Sequence, residues 1–513
     1  MAKNYRPVDR DQQFLLPPDM RDWLPAHHLV WVIEALVADL DTSAFAKRRR
    51  RMTSISTAGQ AGYDPDMLLV LLLYAYSVGV RSSRAIERQC HTDVAFRVAC
   101  GGDIPDHTVI ARFRSEHIDA FTGLFTQVLG ECVRAGMGNV GVIAIDGTKI
   151  AADASTGANR SEEYYRSLID EITAEAVAAD DADEELGVDD DDSDDEAARA
   201  GLIRSVESRK GRYQAERVER AQDCVTSFET AEPSFDEREL AQSETALAKK
   251  IEKYDRLYAF LKHKYDSFHE QLKTTGKRPR GGSPLHPDDQ ERLHSRKRAI
   301  DEMRARIAKR RQGVAGNKSA QAKNRNFTDP QSRLMKTRQG FMQAYNTQFA
   351  VSDDHLIMAA EVFTEPIDFR LFQPMLAAVG REYESACGRP AKIGMALADA
   401  GYHTIDNLEC EGPPRLISDR KSRRLAKTDT TTEVSQHEAV QSMRQKLADP
   451  ANSELYKRRG ALVEPANGWV KEQRGMRRMS MRGLVKAVGE AKLMATVVNI
   501  GRLCKVRGLT APV

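Results

Sequence analysis

A strongly charged segment, residues 155–325, separates two parts of the sequence that both carry regular apolar patterns. Within it, residues 171–196 contain fourteen Asp or Glu and no Lys or Arg. A high net charge with few aromatic residues is typical of disordered chain, so this acidic tract is predicted to be disordered. We predict that the whole segment is inserted into a domain built from sequence on both of its sides.

The segment also carries two long, charge-rich helical stretches, residues 244–268 and 288–312. The stretch KTTGKRPRGGSPLHP between them is predicted to be a linker because it is rich in Gly and Pro. The insertion is therefore predicted to contain a helical hairpin or an antiparallel coiled arm.

Charge is unevenly distributed, although the net charge of the 513 residues is only +2. Residues 270–340 contain nineteen Lys or Arg and seven Asp or Glu, and residues 415–482 contain sixteen and eight. Separate basic regions of this size indicate a polyanionic partner, for which nucleic acid is the simplest choice. Solvated helix faces are the alternative for any one of these runs.

Residues 1–138 carry apolar residues at helical spacing and are predicted to form an all-α domain. Helices are predicted over 26–40, 64–80 and 104–136. Pro65 is expected in a first turn and Asp106 as an N-cap. Such a domain can contain a helix-turn-helix and bind DNA. A helical bundle with no role in DNA binding is the alternative.

Strand patterns begin at residue 139 and return after the insertion. The apolar run in NVGVIAIDGTKI predicts a strand that ends in a turn at Asp146-Gly147. GFMQAYNTQFAVS and HLIMAAEVF predict a hairpin, and KIGMALADAGY and PRLISDR predict two further strands. Residues 421–450 are predicted to be weakly structured, and the last sixty residues to be mostly helical. The order predicts a mixed sheet of the α+β or α/β class, formed by residues 139–154 and 326–513.

Two predicted strands end in an aspartate, Asp146 in VIAIDG and Asp399 in MALADAG. If the strands are neighbours, both carboxylates lie at the edge where ligands of open α/β sheets bind. Two carboxylates so close repel each other unless a cation lies between them. Mg²⁺ takes oxygen ligands and is the simplest cation for this position. Aspartate is also a common turn and cap residue, which is the alternative for either one alone.

The C-terminal stretch YKRRGALVEPANGWVK contains a third acid, Glu464, and a lysine, Lys471. These two residues are seven apart, so on a continuous helix they share one face. Pro465 and Gly468 leave two possibilities open, a helix that begins near Glu464 and one that runs through it. An exposed helical ion pair is the alternative to a functional role.

Several of these motifs together resemble the DDE transposases of bacterial insertion sequences, which have a ribonuclease-H-like core. The resemblance is carried by YDPDMLLVLLLYAYSVGVRSSRAIERQC, PDHTVIARFR, AIDGTKI, SRLMKTRQGFMQAYNTQFAV, LADAGYHT and the Tyr456, Arg459, Glu464, Lys471 signature followed by RGLVKAVGEAKL. It covers most of the chain outside residues 155–325. The sequence EPANGW departs from the family pattern, because Asn467 stands where an aromatic residue is common.

The resemblance implies roles for particular residues. Asp146, Asp399 and Glu464 are implied to be a catalytic triad that binds two Mg²⁺ ions, with Mn²⁺ able to substitute. Tyr456, Arg459 and Lys471 are implied to support the site or to contact the DNA backbone. Arginines of the helical domain are candidates for reading the DNA sequence, with an ordinary surface charge as the alternative for each: Arg81, Arg84, Arg88, Arg112 and Arg114.

The implied reaction is hydrolysis of phosphodiester bonds at insertion-sequence ends, followed by joining of the 3′-hydroxyl ends to target DNA. The implied partners are terminal inverted repeats and target DNA, bound by a homodimer or a higher oligomer. Two alternatives remain: a catalytically inactive, transposase-derived DNA-binding protein, and a metal-dependent nuclease that does not join ends.

Further polar residues near these motifs have ordinary structural explanations. His403 is expected to be structural or solvent-exposed, and Asp153 and Asp406 to be turn or cap residues. Glu490 is the main competitor for the third acidic position, although an ordinary place in a helix is expected. Trp469 is expected to pack in the core rather than to stack on a flipped base.

The sequence also bears on the cellular location. Seven scattered cysteines without a CxxC pair argue for reduced thiols and against a zinc site. No apolar run approaches the ~20 residues that span a bilayer, and the N-terminus does not have a signal-peptide pattern. We expect a cytoplasmic, nucleoid-associated protein without a membrane partner.

Overall fold

The structure, a computed structural model, describes residues 19–46, 62–185, 213–228, 235–278, 282–316, 324–419 and 437–508. The chain divides into two compact units. One comprises Met1–Asn159 and Asn326–Val513, and the other is Arg160–Arg325. Among the described helices, none is long and apolar enough to cross a membrane.

Helices build the N-terminal part of the first unit, as predicted. They are α1 (Leu29–Asp39), α2 (Ser43–Ala46), α3 (Pro65–Ser77), α4 (Ser83–Thr92), α5 (Val94–Ala99), α6 (His107–Glu116) and α7 (Ala120–Arg134). Pro65 stands in the first turn of α3, and Asp106 caps α6 by accepting the Thr108 amide at 2.7 Å. The prediction of one helix over 104–136 is wrong, because the chain leaves helical geometry at His117, which caps the end of α6.

Eight strands are described. They are β1 (Val142–Ala151), β2 (Asn159–Ser161), β3 (Asn324–Asn326), β4 (Arg333–Thr337), β5 (Gly340–Ser352), β6 (Ile357–Phe363), β7 (Met395–Ala398) and β8 (Arg415–Ile417). Strands β2 and β3 pair with each other, and the other six form one mixed sheet. The predicted mixed sheet and the β5–β6 hairpin are confirmed.

The first strand, β1, is central in this sheet. It pairs antiparallel with β5 on one side and parallel with β7 on the other, and β8 continues the parallel part beyond β7. Strands β4 and β6 pair with separate stretches of β5. Neighbouring strands that run in parallel bring their carboxyl ends to the same edge, which is the arrangement that an acidic site needs.

Asp146 lies in the middle of β1 rather than at its end. The predicted turn at Asp146-Gly147 is wrong, because the strand continues to Ala151 and Gly147 pairs with Gln348 of β5. Glycine is required here for space, since a Cβ at residue 147 would lie 2.1 Å from Nε2 of Gln348. This is the close approach that an isolated glycine in a strand often marks.

The second unit is helical. Its helices are α8 (Glu162–Glu185), α9 (213–228), α10 (Phe235–Thr275) and α11 (Glu291–Gly316). Helices α10 and α11 pack against each other, which confirms the predicted hairpin. Disorder is a wrong prediction for the first part of the acidic tract, which is helical up to Glu185. The remainder of that tract lies outside the described residues.

Helices also follow the later strands of the first unit. They are α12 (Phe372–Cys387), α13 (Ile405–Glu409), α14 (Glu438–Ala448), α15 (Pro450–Gly468) and α16 (Leu484–Val506). Weak structure is a wrong prediction for α14, whereas residues 420–436 lie outside the described part of the chain. Of the two possibilities left open at Glu464, the helix that runs through it is the one found, with Pro465 inside α15.

The last helix, α16, is largely buried. Fifteen of its 23 residues are buried, and it packs against α1, α3, α7 and β6. The contact is close: a Cβ at Gly489 would lie 2.4 Å from Cγ1 of Ile118. This helix therefore joins the N-terminal helices and the sheet into one core.

Candidate active site

The two predicted aspartates lie on neighbouring strands at the same level of the sheet. Ile145 of β1 and Ala398 of β7 are partners in parallel register, and each is followed by one of the acids. Asp399 directly follows β7, and its Oδ1 accepts the Gly401 amide at 2.7 Å, which fixes the turn. The predicted pairing of the two strands and the place of Asp399 at a strand end are confirmed.

Asp146 is a largely buried carboxylate whose side chain is 23% exposed. Burial raises the pKa of Asp146 to about 6; Arg459 opposes this shift, whereas the negative charges of Asp399 and Asp368 add to it. Burial and the neighbouring carboxylates together therefore outweigh Arg459 and disfavour the ionised form of Asp146. Additional positive charge brought to the pair stabilises the ionised form.

Helix α15 brings two of the predicted supporting residues to these strands. The hydroxyl of Tyr456 donates to the carbonyl of Ala398 at 3.1 Å, directly before Asp399. Nη1 of Arg459 lies 3.9 Å from Oδ1 of Asp146. Tyr456 thus fixes the main chain beside one acid, and Arg459 balances part of the charge of the other.

Lys471 lies beyond α15 in a π-helical turn, Trp469–Gln473. Its Nζ donates to the carbonyl of Lys149 at 3.0 Å, three residues along β1 from Asp146. Burial lowers the pKa of Lys471, and the nearby Arg477 lowers it further. A partly buried ammonium beside the strand that carries an acid is well placed to meet an anionic ligand.

Glu464 lies on the same helix, but its side chain is exposed. Its Oε1 lies over Gly460, where a Cβ would be 3.1 Å away. The carboxylates of Asp146, Asp399 and Glu464 do not all come within 4.8 Å of one another in the structure as described. The two aspartates therefore lie on adjacent strands, whereas Glu464 is exposed on α15 and does not form a tight cluster with them.

Asp368 is a fourth carboxylate beside the pair, and nothing in the sequence pattern singled it out. Its Oδ1 accepts Nδ2 of Asn346 at 2.8 Å and Nε2 of Gln348 at 2.9 Å. Gln348 also accepts the hydroxyl of Tyr402. These buried amides hold Asp368 in a loop between β6 and α12, so only the tertiary structure could reveal its position.

Glycines leave the space for this arrangement. A Cβ at Gly147 would lie 2.9 Å from Oδ1 of Asp368. A Cβ at Gly401 would lie 2.8 Å from Oδ1 of Asp399 and 3.3 Å from Oδ2 of Asp368. The glycines of the AIDG and ADAG patterns thus leave room for the side chains of Gln348, Asp368 and Asp399.

The atoms around the pair fit a divalent cation. Hard cations take oxygen ligands, and the site offers carboxylate oxygens from two adjacent strands. Asn467 also lies beside Asp146, and its Oδ1 is a buried atom without a hydrogen-bond partner among the described residues. A cation, or a water bound to it, would supply the missing partner of this acceptor beside the like-charged carboxylates.

A second group of possible ligands lies in the N-terminal helices. Nδ1 of His107 is 2.9 Å from Oε2 of Glu87 and 3.4 Å from Oδ2 of Asp106, so the three ligand atoms lie within 4.8 Å of one another. Asp106 is already engaged as the cap of α6. Helix capping and a surface ion pair therefore explain this group.

The arginines predicted to contact DNA separate into two types. Arg84, Arg88 and Arg112 are exposed. Arg114 is only 6% exposed, and its Nη1 donates to the hydroxyl of Tyr76 at 3.0 Å and to the carbonyl of Arg81 at 2.8 Å. This placement argues against a DNA contact for Arg114, because its guanidinium is already used inside the protein.

Arg81 is also used internally. It forms an ion pair with the fully buried Glu490, with Nη2 and Oε1 2.5 Å apart. The same guanidinium donates to the carbonyls of Gly475 and Arg478 at 2.8 and 2.7 Å. Glu490 therefore has the structural place in a helix that was expected, and it does not take part in the acidic site.

The other residues noted near the motifs are also accounted for. Asp153 pairs with Arg482 at 3.0 Å, and Asp406 lies exposed in the first turn of α13. Trp469 packs between His355 and Arg502. Burial lowers the pKa of His403.

Taken together, fold and site define a mixed α/β protein with two acids on neighbouring parallel strands of its sheet. Two family models match the chain: a transposase domain (DUF772) over residues 18–116 and a transposase DDE domain over residues 409–504. The matches confirm the predicted resemblance, and the chain carries the domains of a DDE transposase of the insertion-sequence type. Comparison with curated proteins and with solved structures gives no match.

The matched ranges cover part of the candidate site. The DDE match includes Tyr456, Arg459, Glu464 and Lys471, whereas Asp146 and Asp399 lie outside both matches. Both matched families are transposase domains, one in the N-terminal helices and one in the C-terminal part of the chain.

Replacing Tyr456 with phenylalanine tests the hydrogen bond that holds the strand end at Asp399. We expect the free energy of unfolding, measured in urea, to fall by about 1 kcal/mol, because one hydrogen bond to a main-chain carbonyl is lost. Tyr63→Phe is a matched control, since that hydroxyl also donates to a main-chain carbonyl at 3.1 Å, at Ile104 in the N-terminal helices. Equal stability of Tyr456→Phe and the unmodified protein would contradict the contact.

Proposed function

We propose that the protein is a DDE transposase that hydrolyses phosphodiester bonds at insertion-sequence ends and joins the free 3′-hydroxyl ends to target DNA. The observation that carries this proposal is the meeting of Asp146 and Asp399 on adjacent parallel strands beneath the helix that bears Glu464. The transposase matches at both ends of the chain support it.

Asp146, Asp399 and Glu464 would hold two Mg²⁺ ions, with Mn²⁺ able to substitute. When bound, such ions activate the attacking water or 3′-hydroxyl and stabilise the leaving oxygen in an in-line displacement at phosphorus. Arg459 balances the charge of Asp146, and Tyr456 holds the main chain at Asp399. Lys471 would offer its ammonium to a DNA phosphate beside β1, where its Nζ donates to the carbonyl of Lys149 at 3.0 Å.

The catalytic domain is proposed to be ribonuclease-H-like, formed by residues 139–154 and 326–513. Support comes from the mixed sheet, in which a long first strand is central between an antiparallel hairpin and two parallel strands. Residues 1–138 are proposed to bind DNA, with the exposed Arg112 as a contact, and residues 155–325 to form the insertion.

The DNA partners are proposed to be the terminal inverted repeats and the target, bound by a homodimer or a higher oligomer. The excess of Lys and Arg over residues 270–340 and 415–482 supports phosphate contacts. Such contacts release counterions, so the affinity for DNA should fall steeply as salt rises.

The proposal is tested by cleavage of a supercoiled plasmid that carries the gene with its own flanking DNA. With Mg²⁺ or Mn²⁺ we expect cuts at the flanks by the unmodified protein, none in EDTA, and at least a 100-fold lower rate for Asp399→Asn, because a carboxylate of the set is lost. Asp406→Asn is the matched control, since this exposed aspartate lies close in sequence but in the first turn of α13.

The outcomes separate the alternatives. DNA binding without cuts in any variant would favour an inactive, transposase-derived DNA-binding protein. Cuts without joined products would favour a nuclease. Loss of cleavage in Asp406→Asn together with normal cleavage in Asp399→Asn would move the site away from the strand edge.

A further inference from the structure

Asn467 lies on α15 one turn beyond Glu464, and its amide group faces Asp146. Its Nδ2 donates to Oδ2 of Asp146 at 3.4 Å. Arg459, two turns earlier on the same helix, approaches the other oxygen, Oδ1, at 3.9 Å. Each oxygen of this carboxylate is thus met by a different side chain of α15.

The amide of Asn467 makes no other hydrogen bond in the described structure. Its Oδ1 is buried and without a partner. A buried acceptor left unpaired costs free energy, so an apolar side chain of the same size serves the fold at least as well. Residues that break a packing rule in this way are concentrated at functional sites.

An amide at this position has a property that neither an acid nor a second arginine has. It donates to the carboxylate without changing the charge of a site in which Asp399 and Asp368 already add negative charge near Asp146. It therefore fixes the plane of the Asp146 carboxylate and leaves the negative charge available to a cation. The departure of EPANGW from the family pattern falls on this residue.

We propose that Asn467 is a positioning residue for the phosphodiester chemistry: with Arg459 it fixes the orientation of the Asp146 carboxylate, and so sets the rate of cleavage without contributing to stability. The inference rests on the proposed function, because the orientation of Asp146 matters for the rate only if Asp146 acts in that reaction. Small misplacements of reacting groups reduce rates by up to about 100-fold.

The test compares the single-turnover rate of flank cleavage, the affinity for end DNA in EDTA and the Tm of three proteins. Asn467→Leu removes the donor and the unpaired oxygen, and Asn467→Asp keeps the shape but replaces the donor with an acceptor. We expect both variants to cleave about 10- to 100-fold more slowly, with DNA affinity unchanged. The Tm of Asn467→Leu should equal or exceed that of the unmodified protein, which a merely structural role does not allow.

Asn452 provides matched controls, because it lies in the first turn of the same helix, fifteen residues before Asn467. Asn452→Leu and Asn452→Asp should both cleave at the unmodified rate. If the unmodified protein cleaves and both Asn467 variants match it, the positioning role is overturned and the proposed function stands. A fall in Tm that accompanies the loss of rate in Asn467→Leu also overturns it. If the unmodified protein does not cleave at all, the proposed function fails and this inference fails with it.

Discussion

Arg81→Met is expected to destabilise the protein by about 3–5 kcal/mol, because it leaves the buried carboxylate of Glu490 without its cationic partner. Glu490 is 0% exposed, and Nη2 of Arg81 is its closest cation at 2.5 Å. The substitution also removes the donors that hold the carbonyls of Gly475 and Arg478. Urea unfolding followed by circular dichroism measures the change.

The control for this prediction is Arg84→Met, which changes an exposed arginine three residues further along the chain, in α4. The free energy of unfolding of Arg84→Met is expected to differ from that of the unmodified protein by no more than about 0.5 kcal/mol, as is usual for exposed sites. The double variant Arg81→Met with Glu490→Gln should lose less stability than the two single variants together, because the buried charge that needs a cationic partner is gone. Equal effects of Arg81→Met and Arg84→Met would show that the buried pair does not stabilise the fold.

Asp146→Asn is expected to make the metal-free protein more stable at pH 8, by about 1–3 kcal/mol, while cleavage is lost. The pKa of Asp146 is raised from 3.8 to about 6, so the folded protein holds the proton more tightly than the unfolded chain. The stability of the unmodified protein therefore falls as the pH rises from about 4 to about 6, and the penalty is constant above that range. Asparagine resembles the neutral form and escapes this penalty.

Thermal unfolding in EDTA at pH 4 and pH 8 measures the effect. The difference in Tm between Asp146→Asn and the unmodified protein should be large at pH 8 and nearly absent at pH 4. Asp406→Asn, which changes an exposed aspartate, should show no such pH dependence. A lower Tm for Asp146→Asn than for the unmodified protein at pH 8 would contradict the prediction. It would mean that Arg459 stabilises the ionised Asp146 by more than burial and the neighbouring carboxylates destabilise it.

The sequence was sufficient to predict the acidic pair because strand patterns are local. The apolar runs before Asp146 and Asp399 predicted two strands, and parallel neighbours bring such positions together. The turn at Asp146-Gly147 was wrong because the same dipeptide suits a turn and a tight strand crossing. Which one forms depends on Gln348, a residue of β5 that reaches over the glycine.

Contacts between distant parts of the chain could not be predicted. Arg81 and Glu490 are 409 residues apart in sequence, and neither stands in a pattern that points to the other. Asp368 is one of many acids in loops until Asn346 and Gln348 hold it beside the pair. In the sequence, Asn467 stands out only as a departure from a family pattern. Its contact with Asp146 depends on the course of α15 over the strands.

The burial of α16 has a consequence for the order of events during synthesis. This helix leaves the ribosome after every other helix that the structure describes, and yet α1, α3, α7 and β6 all pack on it. The N-terminal helices therefore emerge with an apolar face uncovered, and Arg81 emerges long before Glu490. Native packing of the earliest helices is completed only by the latest one, so the nascent chain exposes apolar surface for most of its translation.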